Sequence, residues 1–315
     1  MASQRLIGLC EAIESSVRKN CKDKVTISFS GGIDSTLVAL LAQKYCDVEL
    51  IAVGIPNAHD LEAAKSASKL IDMELKTIEV EPSDMVAEGL EIQKCLNLSP
   101  MEIEFMLPFW IVAKNSTNSI LMCGQGADEL FGGYSRFRDE NAEYDLGKEV
   151  SDLIKRLPER EKKIAGRFGL ELSCPYLSDD VVEATEKYSP DERIGKIGKE
   201  TLRKAALEMG LPKEIANRKK KAAQYGSGSQ KAIKSIMRHI VELEFEFESY
   251  SIANSVIMAT EPENKGWVET KVQGNVLRAV IKAPNLGSLR EATEDFMACV
   301  SVAEKVSRRI LPGTP

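Results

Sequence analysis

The stretch Lys24-Val25-Thr26-Ile27-Ser28-Phe29-Ser30-Gly31-Gly32-Ile33-Asp34-Ser35 decides the fold. A run rich in β-formers passes straight into two adjacent glycines and then into an apolar helical pattern, the strand–turn–helix entrance of a βαβ unit. Working outward, β-rich apolar runs at 25–29, 48–55, 74–80 and 119–123 alternate with helical patterns at 34–45, 59–71, 83–95 and about 101–116. Pro82 and Pro100 stand where helices can begin, since the first helical N–H has no partner to lose. Strands alternating with helices predict one parallel sheet with right-handed crossovers, and such sheets bind ligands beyond the carboxyl ends of their strands. From about 145 to 236 the sequence reads as helices only. After about 237 it changes to strict alternation at 241–247, a helix at about 250–260, strand-like runs at 267–272 and 276–283, and a helix from 288 to about 310. The expected class is α/β: a doubly wound parallel sheet with a helical extension over residues 1–236, then a small α+β domain of β-α-β-β-α order over 237–315.

Composition excludes several classes. With 315 residues, 43% apolar and 29% charged, the chain has material for two or three domains with real cores and is too apolar for disorder. No apolar run approaches the ~20 residues that span a bilayer and no leader-like segment opens the chain, so a cytoplasmic location without membrane contact is expected. The seven cysteines show no zinc-ligand spacing and are odd in number, which points to reduced thiols. A net charge of −6 speaks against a generally basic nucleic-acid coat. Yet residues 193–238 hold thirteen Lys or Arg against three Glu, which is either a solvated basic face or an anion site.

The chemistry sits in two loops. Paired glycines let the backbone turn tightly and bare its N–H groups, and Ser30 and Ser35 add hydroxyls at a helix N-terminus, so the first loop suits a pyrophosphate. No Lys follows the glycines, so this is not the phosphate loop of γ-phosphate transfer. An Asp inside an anion-binding loop repels its ligand unless a cation intervenes, which makes Asp34 a candidate Mg²⁺ ligand. The second loop, Cys123-Gly124-Gln125-Gly126-Ala127-Asp128-Glu129-Leu130-Phe131-Gly132-Gly133-Tyr134, follows the fourth strand. From there Asp128 can face Asp34 across one metal–phosphate site.

SGGIDS at 30–35, GQGADELFGGY at 124–134 and FGLEL at 168–172 leading to CPYL at 174–177 resemble the synthetase domain of asparagine synthetases and of the related β-lactam synthetases. These are ATP pyrophosphatases of the PP-loop type. The resemblance continues through KETLR at 199–203, Leu211-Pro212 and Arg218-Lys219-Lys220-Lys221 ahead of Gln224-Tyr225-Gly226-Ser227-Gly228, covering about residues 5–235. It implies an adenine nucleotide alpha-hydrolase-like (HUP) sheet, ATP and Mg²⁺ as cofactors, and activation of a small-molecule carboxylate as an acyl-adenylate with release of pyrophosphate. A nitrogen nucleophile then forms an amide. Carried over position by position, Asp34 and Asp128 hold Mg²⁺, while Ser30, Gly31, Gly32 and Ser35 hold the pyrophosphate portion. Val53 meets adenine through its backbone and Gly124 lines the nucleotide. Lys220 stabilises the transition state, Lys199 contacts phosphate, and Gln125 and Glu129 are the candidate catalytic residues of the second loop.

This sequence departs from the family at Gln125, where Glu is usual and where the acyl substrate or incoming nitrogen is met, and at Ser173 and Ser178, where Arg and Asp are common. Ala2 rather than Cys follows Met1, so glutamine hydrolysis is not expected; ammonia would be free, supplied by a partner or replaced by another nucleophile. The tail from about 238 to 311 resembles the small dimerising Pcc-type subunit of the KEOPS complex, which makes threonylcarbamoyladenosine in tRNA; Leu277 to Ala283 and Leu289-Arg290 carry the likeness. It implies a homodimer and contacts with KEOPS-type subunits and tRNA, with Arg278, Lys282 and Arg290 as candidate phosphate contacts. Phe296, Val300 and Ala303 recur at helical spacing and face either the sheet or a second chain. Three readings stay open: an amide ligase, a tRNA-modifying ATP pyrophosphatase recruited through the tail, and a non-catalytic dimeric scaffold.

Overall fold

Five short apolar runs pair into one sheet in a computed structural model, which describes residues 4–96, 98–138, 145–157, 160–218, 227, 239–264, 267–283 and 286–310. The strands are β1 (Lys24–Ser28), β2 (Asp47–Gly54), β3 (Leu75–Glu79), β4 (Ile120–Met122) and β5 (Glu171–Ser173), in the order β3-β2-β1-β4-β5 and parallel throughout. Val25, Ile27, Leu50, Ile51, Leu121 and Met122 are almost wholly buried, as strands covered on both faces must be.

The helices follow in chain order: α1 (Gln4–Asn20), α2 (Ile33–Ala42), α3 (His59–Leu70), α4 (Pro82–Cys95), α5 (Pro100–Asn115), α6 (Ala127–Phe131), α7 (Leu146–Arg156), α8 (Glu161–Arg167), α9 (Asp179–Glu186), α10 (Pro190–Ile194), α11 (Glu200–Glu208) and α12 (Lys213–Ala216). Helices α1, α2, α3, α9 and α11 share one core with the sheet, whereas α5 packs over β2 together with α4 and α8. Pro82 and Pro100 do open α4 and α5, and Ser99 closes a capping box with Glu102 at the start of α5. The stretch expected to be wholly helical contains a strand, β5. At three residues it is too short to show a period, and it exists only because Leu172 and Ser173 continue the ladder beyond Leu121 and Met122.

The chain divides into two compact units, residues 1–230 and 231–315. In the second, β6 (His239–Glu246), β8 (Val276–Ala283) and β7 (Val268–Gln273) form an antiparallel sheet with β8 in the middle. Helices α13 (Tyr250–Asn264) and α14 (Leu286–Ile310) cover one face. Phe296, Val300 and Ala303 turn toward this sheet, joining Leu277, Ala279 and Ile281 in its core. Among the described residues no helix is long and apolar enough to cross a membrane.

Two glycines should respond oppositely to the same methyl group. Gly31 has φ +67° and an added Cβ would strike the Ala63 carbonyl, so Gly31→Ala should destabilise the first unit by on the order of 3 kcal/mol. Gly8, inside α1 with open space around it, should gain about 0.5–1 kcal/mol as Ala. Urea unfolding of the two variants checks both signs.

Candidate active site

In a sheet ordered β3-β2-β1-β4-β5 the chain winds outward in opposite directions from β1 and β4, and the loops leaving their carboxyl ends open a crevice between them. The first loop enters α2 with Asp34 in its first turn, and the second enters α6 with Asp128 in its first turn. Gly124 lets the loops touch, because a Cβ there would press on the Asp34 side chain and the Ser35 backbone.

The two carboxylates meet at Lys199. Its ammonium donates to Asp34 Oδ1 and Oδ2, each at 2.8 Å, and lies 2.5 Å from Asp128 Oδ1. Lys199 is 3% exposed and Asp34 4%, so one cation stands between two carboxylates in a nearly dry setting, with the buried Arg203 guanidinium close enough to Asp34 for their charges to interact. Gly133 makes the room: a methyl group there would overlap both the Asp128 carboxylate and the end of Lys199. Lys199 precedes α11 in the left-handed backbone region, φ +57°, a conformation that costs a non-glycine residue about 1–2 kcal/mol and is held by its surroundings. Buried Arg203 fastens that turn, donating to the carbonyls of Gly198 (2.8 Å) and Ala216. Tyr176, fully buried, donates to the Asp34 carbonyl at 3.1 Å.

The first loop is built from within. Ser35 Oγ accepts from the Ser30 N–H at 3.2 Å and lies 3.3 Å from the Ser30 hydroxyl, and Thr36 Oγ1 donates to the Gly32 carbonyl at 2.7 Å. Arg218 reaches the Gly31 carbonyl at 3.3 Å. Ladder parity places Val53: Ile51 accepts from Phe29 toward β1 and Gly54 accepts from Val80 toward β3, so the Val53 backbone faces the β1 side, just past the end of that strand. Ser227, 1% exposed, accepts from the Ile55 N–H at 2.9 Å on the same edge. Lys220 lies outside the described residues, but Arg218 and Ser227 bring the chain to this edge on either side of it.

In the second loop Glu129 is 5% exposed; burial raises its carboxyl above the usual carboxylate range and Asp128 adds to this, while the Tyr134 hydroxyl, donating at 2.6 Å, works against it. Gln125 turns the other way, and its amide donates to Glu161 Oε1 at 3.1 Å. Glu161 and its neighbour Arg160 are buried beside the ends of β4 and β5, and nothing in their charged, ordinary-looking stretch of sequence foretells it. Lys199 was expected at phosphate; its position between the carboxylates was equally invisible, since a residue's partners across 165 positions leave no local pattern. In the second unit Arg278, Lys282 and Arg290 each pair with a carboxylate, Glu244, Glu269 and Glu294, on exposed surfaces.

The sequence profile of the family described as asparagine synthase matches residues 8–162 and 146–269, and that of the family described as transcription factor Pcc1 matches 240–308. A Methanocaldococcus jannaschii protein described as a glutamine-hydrolyzing asparagine synthetase is 30% identical over 276 residues, 73% of this chain and 51% of its own length. Asparagine synthetase B of Escherichia coli is 25% identical across 70% of this chain and 45% of its own, and the mouse enzyme 29% across 75% and 46%. The chain thus spans about half the length of these relatives.

Removing the ammonium leaves two carboxylates facing each other. Lys199→Ala should cost about 3–5 kcal/mol, and millimolar MgCl₂ should restore part of the lost melting temperature while moving the wild type less. Thermal unfolding with and without the salt reads both effects.

Proposed function

The chain belongs to the asparagine synthase family, and from that membership we propose that it is an ATP-dependent ligase: it adenylates a small carboxylate, releases pyrophosphate and passes the acyl group to nitrogen, forming an amide. The convergence of Asp34 and Asp128 on one cation position carries this reading. Mg²⁺ is bound in such sites by one or two carboxylates together with substrate phosphates rather than by an all-protein cage. Two acidic side chains from separate loops fit that donor set, and among the described residues no cluster of three or more His, Cys, Asp or Glu offers a different one. Bound there, Mg²⁺ supplies charge neutralisation at the phosphates.

The chain's own residues do the rest. Gly31, Gly32, Ser30 and Ser35 receive the pyrophosphate portion with backbone N–H groups and hydroxyls, Gly124 lines the nucleotide, and the Val53 backbone meets adenine. Lys199, already positioned by the two carboxylates, serves as a phosphate contact. Lys220 steadies the departing pyrophosphate. The nitrogen is ammonia or another amine. Burial pushes the thiols of Cys10 and Cys21 up to about 11 and about 12 and raises that of Cys46, while the Cys123 contact and burial raise that of Cys174, so none of these four is a ready thiolate nucleophile.

The Pcc1-like unit supports a second component, self-association and contact with KEOPS-type subunits or tRNA. Val302, Val306 and Ile310, at successive turns of α14, are 62%, 50% and 71% exposed, an apolar stripe suited to a second copy.

ATP–pyrophosphate exchange across a panel of small carboxylates that includes aspartate tests the chemistry: Asp34→Asn and Lys220→Ala should each lower it by roughly a hundred- to a thousandfold, and exchange retained in both sinks the assignment. Light scattering should find a dimer that Val306→Asp converts to monomer. Filter binding of tRNA should weaken steeply with salt, and no binding at low salt removes tRNA as a partner.

A further inference from the structure

Gly198 and Lys199 both lie in the left-handed backbone region, at φ +83° and +57°. Their turn rests against the end of the second loop: an added Cβ at Gly198 would sit 2.7 Å from Arg138 Nη1 and 3.4 Å from the Gly132 carbonyl oxygen. It is bonded to Arg203, which is 6% exposed. Arg203 Nε donates to the Gly198 carbonyl at 2.8 Å, and Nη1 donates to the carbonyl of Ala216, the last residue of α12, and at 3.4 Å to that of Arg218. One buried guanidinium therefore gathers carbonyls from the Lys199 turn, from the end of α12 and from the chain that leaves it. A rigid fork of donors suits several acceptors in fixed directions, and a point-like ammonium does not reproduce it. Among the described residues all the hydrogen bonds of Arg203 go to main-chain carbonyls, so it acts on its surroundings through the backbone.

These contacts close into a ring. Arg218 donates to the Gly31 carbonyl at 3.3 Å, and Arg203 holds both the Arg218 carbonyl and the Lys199 turn. Lys199 in turn bonds Asp34 at 2.8 Å, and Asp34 stands three residues after Gly31. Within the ring, Lys199 carries its charge on a strained backbone, which persists only where the surroundings fix it. We propose that Arg203 is a positioning residue for Lys199: it holds the left-handed turn from which the ammonium is aimed between the two carboxylates and at phosphate, and it ties that aim to the Gly31 loop. The proposal rests on the ligase reading for the step that Lys199 serves and on the ring of contacts for the part played by Arg203. An ammonium displaced from this position still offsets carboxylate charge but stands wrongly for the phosphates, so the loss falls on turnover more than on nucleotide affinity.

The test measures ATP–pyrophosphate exchange, with whichever carboxylate supports it in the wild type, in Arg203→Lys, Lys199→Ala and the double variant, all in millimolar MgCl₂. Arg203→Lys keeps the charge and loses the fork, so it should lower maximal exchange roughly ten- to a hundredfold while half-saturating MgATP moves little. In the Lys199→Ala background the same substitution should cost nothing further, since the group it positions is gone. Equal losses in both backgrounds make Arg203 a support of the fold in general and overturn the proposal, as does unchanged exchange or a loss confined to half-saturating MgATP. Should Arg203→Lys fail to fold, Arg218→Ala takes its place: that side chain is half-buried, and removing it cuts the ring at Gly31. Its effect should likewise vanish without Lys199, and an effect that persists overturns the proposal. Should the wild type support no exchange with any carboxylate, the ligase reading fails, and crystals of full-chain Arg203→Lys then decide the positioning role. They also decide it where exchange in Lys199→Ala falls below detection. In that variant the Lys199 ammonium should leave its place between Asp34 and Asp128 and the residue's φ should turn negative; Lys199 found where the wild type has it overturns the proposal.

Discussion

The Lys199 ammonium, shared by Asp34 and Asp128, is the interaction on which the rest of the first unit depends. Three formal charges are packed into a setting almost closed to water, where an unpaired charge is expensive and a paired one fixes its partners' positions. Two loops more than ninety residues apart and a helix start seventy residues further on are thereby held to one point.

The sheet supplies the place and the glycines supply the clearance. Placing β1 beside β4 in the middle of a doubly wound sheet sends their loops into one crevice. Gly124 and Gly133 then keep side-chain bulk out of the contact between Asp34, Asp128 and Lys199, and Gly31 accepts a backbone conformation that other residues resist. Backbone strain falls on Lys199, and the turn before it is held by the buried bond from Arg203 to the Gly198 carbonyl.

Away from the Gly31 loop the wall is chemically different: a neutral amide, a buried carboxylate with one oxygen unpaired among the described residues and two close thiols stand at the ends of β4 and β5. The second unit has no comparable cluster among its described residues; Arg278, Lys282, Arg290 and Arg308 form surface ion pairs, worth little each, and its exposed α14 stripe is its most distinctive surface.

The local elements were legible because periodicity and turn chemistry are properties of neighbouring residues. Four strands, the helices between them, the two proline helix starts and the glycine-rich loops could all be read from spacing. The three-residue β5 could not be read, since it is a strand only by virtue of its pairing with β4. Nor could the inward turn of Phe296 and Val300, which a helical period leaves open between the sheet and a second copy. What the sequence alone determined, then, was which short segments form strands, helices and glycine-rich turns. Only the tertiary structure decided that Lys199 lies between two aspartates and that Glu161 is buried with one oxygen open, because burial and charge pairing arise between segments distant in the chain and are set when the sheet assembles.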